Sequence, residues 1–366
     1  MKKTIFLATL TAAIFAGCSS DNPMLPVEGG NGNNGGEGNN ELISPTVRAT
    51  VNTPDNAQSP MSGILEVYPC QAGTSIYYGN YVEDVLTPFP GMYTLKDGNT
   101  LGNPARAISL PVGTYNMIYW GTPKYEEPIY SNPAVKDPQL TLGGDLSQQY
   151  FGLRQNLPDT TYYPVFDLVY AVKPANIGTE ELNAAMKRKV AGLKVIVKDK
   201  NNGILSSSIS GMKVNIGGIA EKLNLYTAEP VNQTKTVTFP LVLSTDGTQM
   251  SNATVMLFPS ATSPLFQLII TLKNGTVKTF KQTLSAPLKA NTRFTLTLTL
   301  GDIFSEEETG PARALADLDR APGIEGLTAL KCSARLAAGE CCEIPALRAE
   351  NGKAHLDGTV EVTGWK

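Results

Sequence analysis

From residue 42 onward, apolar and polar side chains alternate in short runs with a period of two. Leu193, Val195 and Val197 share one side of a run whose other side carries Lys194, Ile196 and Lys198. Val237, Phe239, Leu241 and Leu243 repeat the pattern. Between 265 and 272 the more apolar side is Phe266, Leu268, Ile270 and Leu272. Phe294, Leu296, Leu298 and Leu300 alternate with Thr295, Thr297 and Thr299, the clearest case in the chain. Successive side chains of a β-strand point to opposite faces, so each run predicts a strand buried mainly on one side. Asn274-Gly275 predicts a hairpin, and Asn201-Asn202-Gly203 a turn.

The first half is less regular but speaks the same language. Thr46 to Val51, Met61 to Tyr68, and Ile108 to Tyr115 leading into Asn116 to Trp120 predict strands, as does Thr161 to Val172. Pro88, Pro90 and Gly91 punctuate a turn, and Asp137 to Tyr150 reads as loop with one short strand. Thr179 to Met186 is the one helix expected in the body: Thr179 sits at the cap, and Leu182 and Met186 fall four apart on one face. Short strands at this spacing, without repeated intervening helices, predict an all-β fold of sandwich type. No repeat period suggests a solenoid or propeller.

The first residues follow a different grammar. Met1-Lys2-Lys3 is basic, Thr4 to Phe15 is apolar, and Ala16-Gly17-Cys18 ends the run. That order matches a bacterial secretory signal, and the run is shorter than the roughly 20 residues a spanning helix needs. Phe15-Ala16-Gly17-Cys18 resembles a lipobox, although leucine is commoner than Phe15 at its first position. The reading is residues 1–17 as signal peptide and Cys18 as the lipidated first residue, carrying acyl chains such as palmitate. Residues 18–41 then form a lipid-anchored tether rich in glycine and asparagine, which buries too little apolar surface to offset the entropy of ordering it. This places the protein at the cell outer membrane, surface-exposed, with the lipid as its membrane attachment.

Composition narrows the function. Charged residues are 17% of the 366, against roughly 25% in average proteins. A net charge of -3 gives no basic field for nucleic acid. Apart from Cys18, the cysteines are Cys70, Cys332, Cys341 and Cys342, a distribution unlike a disulfide scaffold, and adjacent Cys341-Cys342 is no zinc spacing. The one histidine is His355. A Ser-His-Asp or Cys-His apparatus, or a histidine metal site, would have to draw on that tail. No metal, cofactor or enzymatic activity is expected. The carboxylates Asp137, Asp145, Asp159 and Asp167 fall mainly in turn-like sequence, where aspartate serves local backbone needs.

Two stretches carry a family resemblance. Met186-Lys187-Arg188-Lys189-Val190-Ala191-Gly192-Leu193-Lys194-Val195 resembles the basic-then-alternating strand that opens the second domain of fimbrillin-type subunits, the type V pilus proteins of Bacteroidales, including the minor fimbrial anchor lipoproteins. Leu110-Pro111-Val112-Gly113-Thr114-Tyr115 resembles a turn near the end of their first domain. The basic triplet itself reads as a solvated edge. The resemblance implies two tandem transthyretin-like β-sandwiches, 42–175 and 176–303, followed by an atypical tail, 304–366, with a terminal strand.

It also implies assembly instead of catalysis: a fimbrial subunit or anchor in adhesion, joined to other pilus subunits by β-strand addition, with a host or bacterial surface ligand as a further partner. In such proteins a trypsin-like protease removes an N-terminal segment from shaft and tip subunits. Between Lys3 and Arg48 there is no lysine or arginine, so the expected processing bond is Arg48–Ala49. The expected donor strand contains Val360, Val362 and Trp365. The alternative is a glycan-binding outer-membrane lipoprotein, because Tyr77, Tyr78, Tyr81, Tyr115, Tyr119, Trp120, Tyr125 and Tyr130 concentrate aromatic faces in the first domain.

Overall fold

The alternating runs of the second half form strands. Leu193, Val195 and Val197 are buried while Lys194, Ile196 and Lys198 are half-buried, and the Phe294 and Phe266 series are buried likewise. The computed structural model describes residues 41–52, 57–124, 128–199 and 201–300, together with the backbone of 341–348 and 355–363. The described residues all belong to one compact unit. The fold is all-β.

The first part runs through β1 (Leu42–Ile43), β2 (Val47–Asn52), β3 (Gln58–Pro60), β4 (Gly63–Gln71), β5 (Asn80–Val82), β6 (Val85–Thr87), β7 (Gly91–Lys96), β8 (Asn99–Thr100), β9 (Leu110–Pro111), β10 (Gly113–Pro123), β11 (Val135–Lys136), a 3-10 turn (Leu146–Gln148), β12 (Tyr150–Leu153), β13 (Val169–Ile177) and β14 (Leu182–Arg188). Eight of these strands form a sheet in the order β14-β13-β10-β4-β7-β8-β2-β3. It closes on itself because β2 also pairs in parallel with β14. Val47, Leu65, Val67, Tyr93, Met117, Tyr119, Leu182 and Met186 fill the space it encloses.

The helix expected over 179–186 is absent: Leu182–Arg188 is a strand. Leu182 and Met186 are four apart, which suits one helix face and equally one strand face. Buried Ala184 between them decides for the strand, since period two needs it inside. Residues 161–168, expected to begin a strand, make isolated bridges instead, Tyr162 to Val237 and Val165 to Met256, and the strand proper begins at Val169.

The second part contains β15 (Ala191–Asp199), β16 (Ile209–Asn224), β17 (Pro230–Leu243), β18 (Gln249–Ser251), β19 (Val255–Leu257), β20 (Leu265–Leu272), β21 (Val277–Thr283), β22 (Arg293–Leu300), β23 (Cys341–Arg348) and β24 (His355–Thr363). The main path is β11-β12-β16-β17-β18-β15-β22-β24-β23, with β20-β21 extending from β16. β17 joins the two layers: Leu241 pairs with Met212 of β16, while Val242 and Leu243 pair with β18. At that crossing the expected burial of Leu243 fails, and it is 54% exposed. β16 carries an irregularity between Ile216 and Ile219, where Gly218 adopts a φ of 74° open to glycine. The bend lets one strand pair with β20 before it and β12 after it. Asn274-Gly275 makes the predicted hairpin, with Asn274 Oδ1 accepting from Thr276 N at 2.9 Å.

A division at 175/176 falls inside β13, and β14 beyond it remains in the first sheet. Conversely, residues 128–165 leave the first sheet and contribute β11, β12 and bridges at Ile129, Tyr162 and Val165 to the second. Strand β10 is therefore buried on both faces. Its Tyr115, Met117 and Tyr119 join the first core, while Ile118 and Trp120 join the second. No helix among the described residues is long and apolar enough to cross a membrane.

Candidate functional site

Three places bear on function: the first long strand, the terminal strands, and the seam between the cores. In β2, Val47, Ala49 and Val51 are buried and Arg48 points outward, as period two requires. The Arg48 guanidinium lies 3.6 Å from the Glu181 carboxylate, with both side chains about half exposed. Such a surface pair contributes little. The backbone is held more firmly. Ala49 N donates to Gly98 O at 3.0 Å, Ala49 O accepts from Met61 N at 3.1 Å, and Thr46 O accepts from Leu182 N at 2.9 Å. The Arg48–Ala49 bond thus sits inside a ladder paired on both sides, whereas proteolytic nicking favours exposed, unpaired backbone. A shallow cleft of about 350 Å³ beside it is lined by Arg48, Thr50, Gln58, Asp97, Asn99 and Asn183.

The expected donor strand is already seated. β24 pairs antiparallel with β22, placing Val360 opposite Leu296 and Val362 opposite Phe294. β23 pairs on its other side. Trp365, Cys18 and the tether up to residue 40 lie outside the described residues.

The aromatic concentration forms the seam. Trp120 is 2% exposed, its indole N–H donates to Leu225 O at 2.8 Å, and its ring meets Phe151 at 4.9 Å and Tyr170 at 5.0 Å. Tyr170 Oη donates to the Tyr226 carbonyl, and Asn116 Nδ2 donates to Tyr226 Oη at 3.0 Å. Tyr77, Tyr115 and Tyr119 are also buried, and Tyr78, Tyr81 and Tyr130 are half-buried; Tyr125 lies outside the described residues. Trp120 therefore offers no face to a sugar. The sequence marks the aromatics but not the seam, because alternation assigns each strand a single buried face. Seven successive buried residues, Tyr115 to Gly121, are the signature of a strand covered on both sides.

The basic triplet is only partly solvated. Arg188 is buried and forms a two-point ion pair with Asp167, Nε to Oδ1 at 2.9 Å and Nη2 to Oδ2 at 3.2 Å. Its Nη1 also reaches Asn291 Oδ1 at 3.5 Å. Asp145 caps the 3-10 turn by accepting from Ser147 N and from Ser75 Oγ, and these bonds lower its pKa. Among the described residues no group of three or more His, Cys, Asp or Glu is placed to hold a metal. A second cleft, about 430 Å³, is lined by Lys189, Glu229, Gln233, Ser260 and Lys289. There Gln233 Nε2 already donates to Ser260 O, and Ser260 Oγ to Ala261 O. Cys70 is a free buried thiol pushed up to about 12 by desolvation, which suits packing and not reactivity.

Glu66 on β4 lies opposite Trp120 of β10, beside the seam. Burial raises its pKa above the ordinary 4.5, against the lowering effect of Tyr68 Oη, which donates to its carboxylate at 2.5 Å. The folded state therefore holds the proton more tightly than the unfolded chain. The stability this adds is fully present below pH 4.5 and is lost as pH rises through the folded value. Glu66→Gln should flatten the loss of stability as pH rises above 4.5 in urea titrations. An unchanged slope would place the titration elsewhere.

A family model described as Mfa2, fimbrillin-A associated anchor proteins Mfa1 and Mfa2, matches residues 40–313. Among solved structures, the chain is similar to a candidate polysaccharide-binding protein from Bacteroides thetaiotaomicron, with 14% identity, TM-score 0.46, and coverage of 71% of this chain and 92% of that one. It is similar to a candidate adhesin from Bacteroides ovatus, with 12% identity, TM-score 0.45, and coverage of 71% and 90%. The fimbrial anchor protein Mfa2 from Porphyromonas gingivalis matches with 13% identity, TM-score 0.41, and coverage of 71% and 92%. No curated protein matches.

Proposed function

The chain belongs to the family of fimbrillin-A associated anchor proteins, and from that premise we propose that it is a non-catalytic anchor subunit of a cell-surface fimbrium, held in the outer membrane by acyl chains on Cys18. The family match across 40–313 carries this reading. Residues 1–17 are the signal peptide and 18–41 the tether in this proposal, with two tandem sandwiches meeting near 189–190 and the atypical tail after 303. The hydrogen-bonded setting of the Arg48–Ala49 bond favours retention of the lipid over its removal. Association with the next subunit would then use strand addition at an existing edge.

The test is metabolic labelling with an alkyne fatty acid, followed by mild trypsin. Label should mark the wild type and not Cys18→Ala. Because Arg48 is the first basic residue after Lys3, trypsin can separate lipid from body only there or beyond. Label should stay on a large body fragment. Equal labelling of both proteins would remove the lipid anchor. Label recovered on a small peptide ending at Arg48 would replace the anchor with a processed, polymerising subunit.

A further inference from the structure

Two strand pairings differ from all the others among the described strands: they are parallel. β2 pairs with β14 from Val47↔Leu182 to Asn52↔Lys187. β15 pairs with β22 from Gly192↔Arg293 to Asp199↔Leu300. Each joins a strand near the start of one sheet system to a strand near its end. The two-residue link Lys189-Val190 connects the first pair to the second.

This arrangement fixes how tension travels. Pulling on the chain before β2 and after β22 draws the N-terminal end of β2 one way and the C-terminal end of β14 the other. Because the strands are parallel, these forces act along the ladder in opposite directions, and its hydrogen bonds share the load. The second pair is loaded identically. Sliding is further opposed by packing: Val47, Ala49 and Val51 sit with Leu182, Ala184 and Met186 in one core, and Leu193, Val195 and Val197 with Phe294, Leu296 and Leu298 in the other. A one-residue slip would turn each row to the wrong face. The link is pinned too, since Lys189 N donates to Leu168 O at 2.8 Å and Asn291 N to Val190 O at 2.9 Å.

We propose that this chain is a tension-resisting element, with two shear clamps in series that hold it folded when it is pulled end to end. The source of tension, a fibre pulling on a membrane tether, rests on the anchor reading; the clamps do not.

Single-molecule pulling of the full chain tests this in two geometries. In the first, handles are attached at its two ends. β24 should peel early and at low force, because Thr363 lies opposite Arg293 and its ladder opens pair by pair. Two larger ruptures should follow, together releasing roughly 850 Å at ~3.4 Å per residue, for the segments 47–187 and 192–300. In the second geometry, Gln58→azidophenylalanine carries the first handle. Gln58 pairs with Asn52, which lies opposite Lys187, so tension now enters and leaves the β2–β14 ladder at one end and peels it. The rupture of the first clamp should fall severalfold in force. That of the second, still sheared, should not change and serves as the internal control. Equal first-clamp forces in the two geometries, or a lower force in the end-to-end pull, would overturn the proposal while leaving lipid labelling untouched. Loss of labelling in turn would leave these forces as they are.

Discussion

Trp120→Ala is expected to cost about 3–5 kcal/mol of stability and to divide one unfolding transition into two. The indole fills the seam between β10 and the second core, buried to 2% exposure and touching Phe151 and Tyr170. Removing it deletes a large apolar surface and leaves a cavity the flanking sheets cannot close without shifting. It also strips Leu225 O of its donor inside a region from which water is excluded. Trp120→Phe separates the two effects: it keeps most of the ring contact and loses the hydrogen bond, for about 1–3 kcal/mol. Because the seam couples the cores, guanidinium melts followed by far-ultraviolet circular dichroism should resolve two steps in the alanine variant and one in the wild type. A loss below about 1 kcal/mol with a single step would mean that the seam contributes neither stability nor coupling.

The contrast between legible and illegible parts of the chain comes from the same geometry. Alternation is legible where one face is buried, so β15, β20 and β22 can be read from threonines and lysines set against leucines and valines. It fails where both faces are buried, as in β10, or where a strand changes layers, as at Val242 and Leu243. It is also ambiguous where alanine stands in for a larger side chain, which is why Leu182 to Met186 suggests a helix. The excursion of residues 128–165 into the second sheet is not legible at all, since nothing local marks which of two sheets a two-residue strand such as β11 will join. Site residues divide similarly. Arg48 faces outward as its position in the alternation requires, but the pairing that ties its peptide bond comes from Gly98, Met61 and Leu182, far away in sequence.

Arg188 is a charge that sequence disguises and burial makes costly to disturb. In the run Lys187-Arg188-Lys189 it looks like its neighbours, yet period two carried on from Leu182, Ala184 and Met186 puts it inside. A buried guanidinium is tolerable only with a carboxylate placed for it, and Asp167, itself 3% exposed, meets it at two points. Asp167→Ala should therefore cost about 3–5 kcal/mol, because it leaves a desolvated cation without its main counter-charge. The double variant Asp167→Leu/Arg188→Met should recover much of that loss, since replacing a buried pair by apolar groups of similar size is often neutral. Urea midpoints of the wild type, Asp167→Leu, Arg188→Met and the double variant complete the cycle. A double variant as unstable as the sum of the singles would show that the pair is not a closed unit and that other partners of Arg188, Asn291 among them, carry part of the joint. The expected recovery instead identifies the pair as a closed unit, set at the junction of β14 and β15 through which tension between the two clamps has to pass.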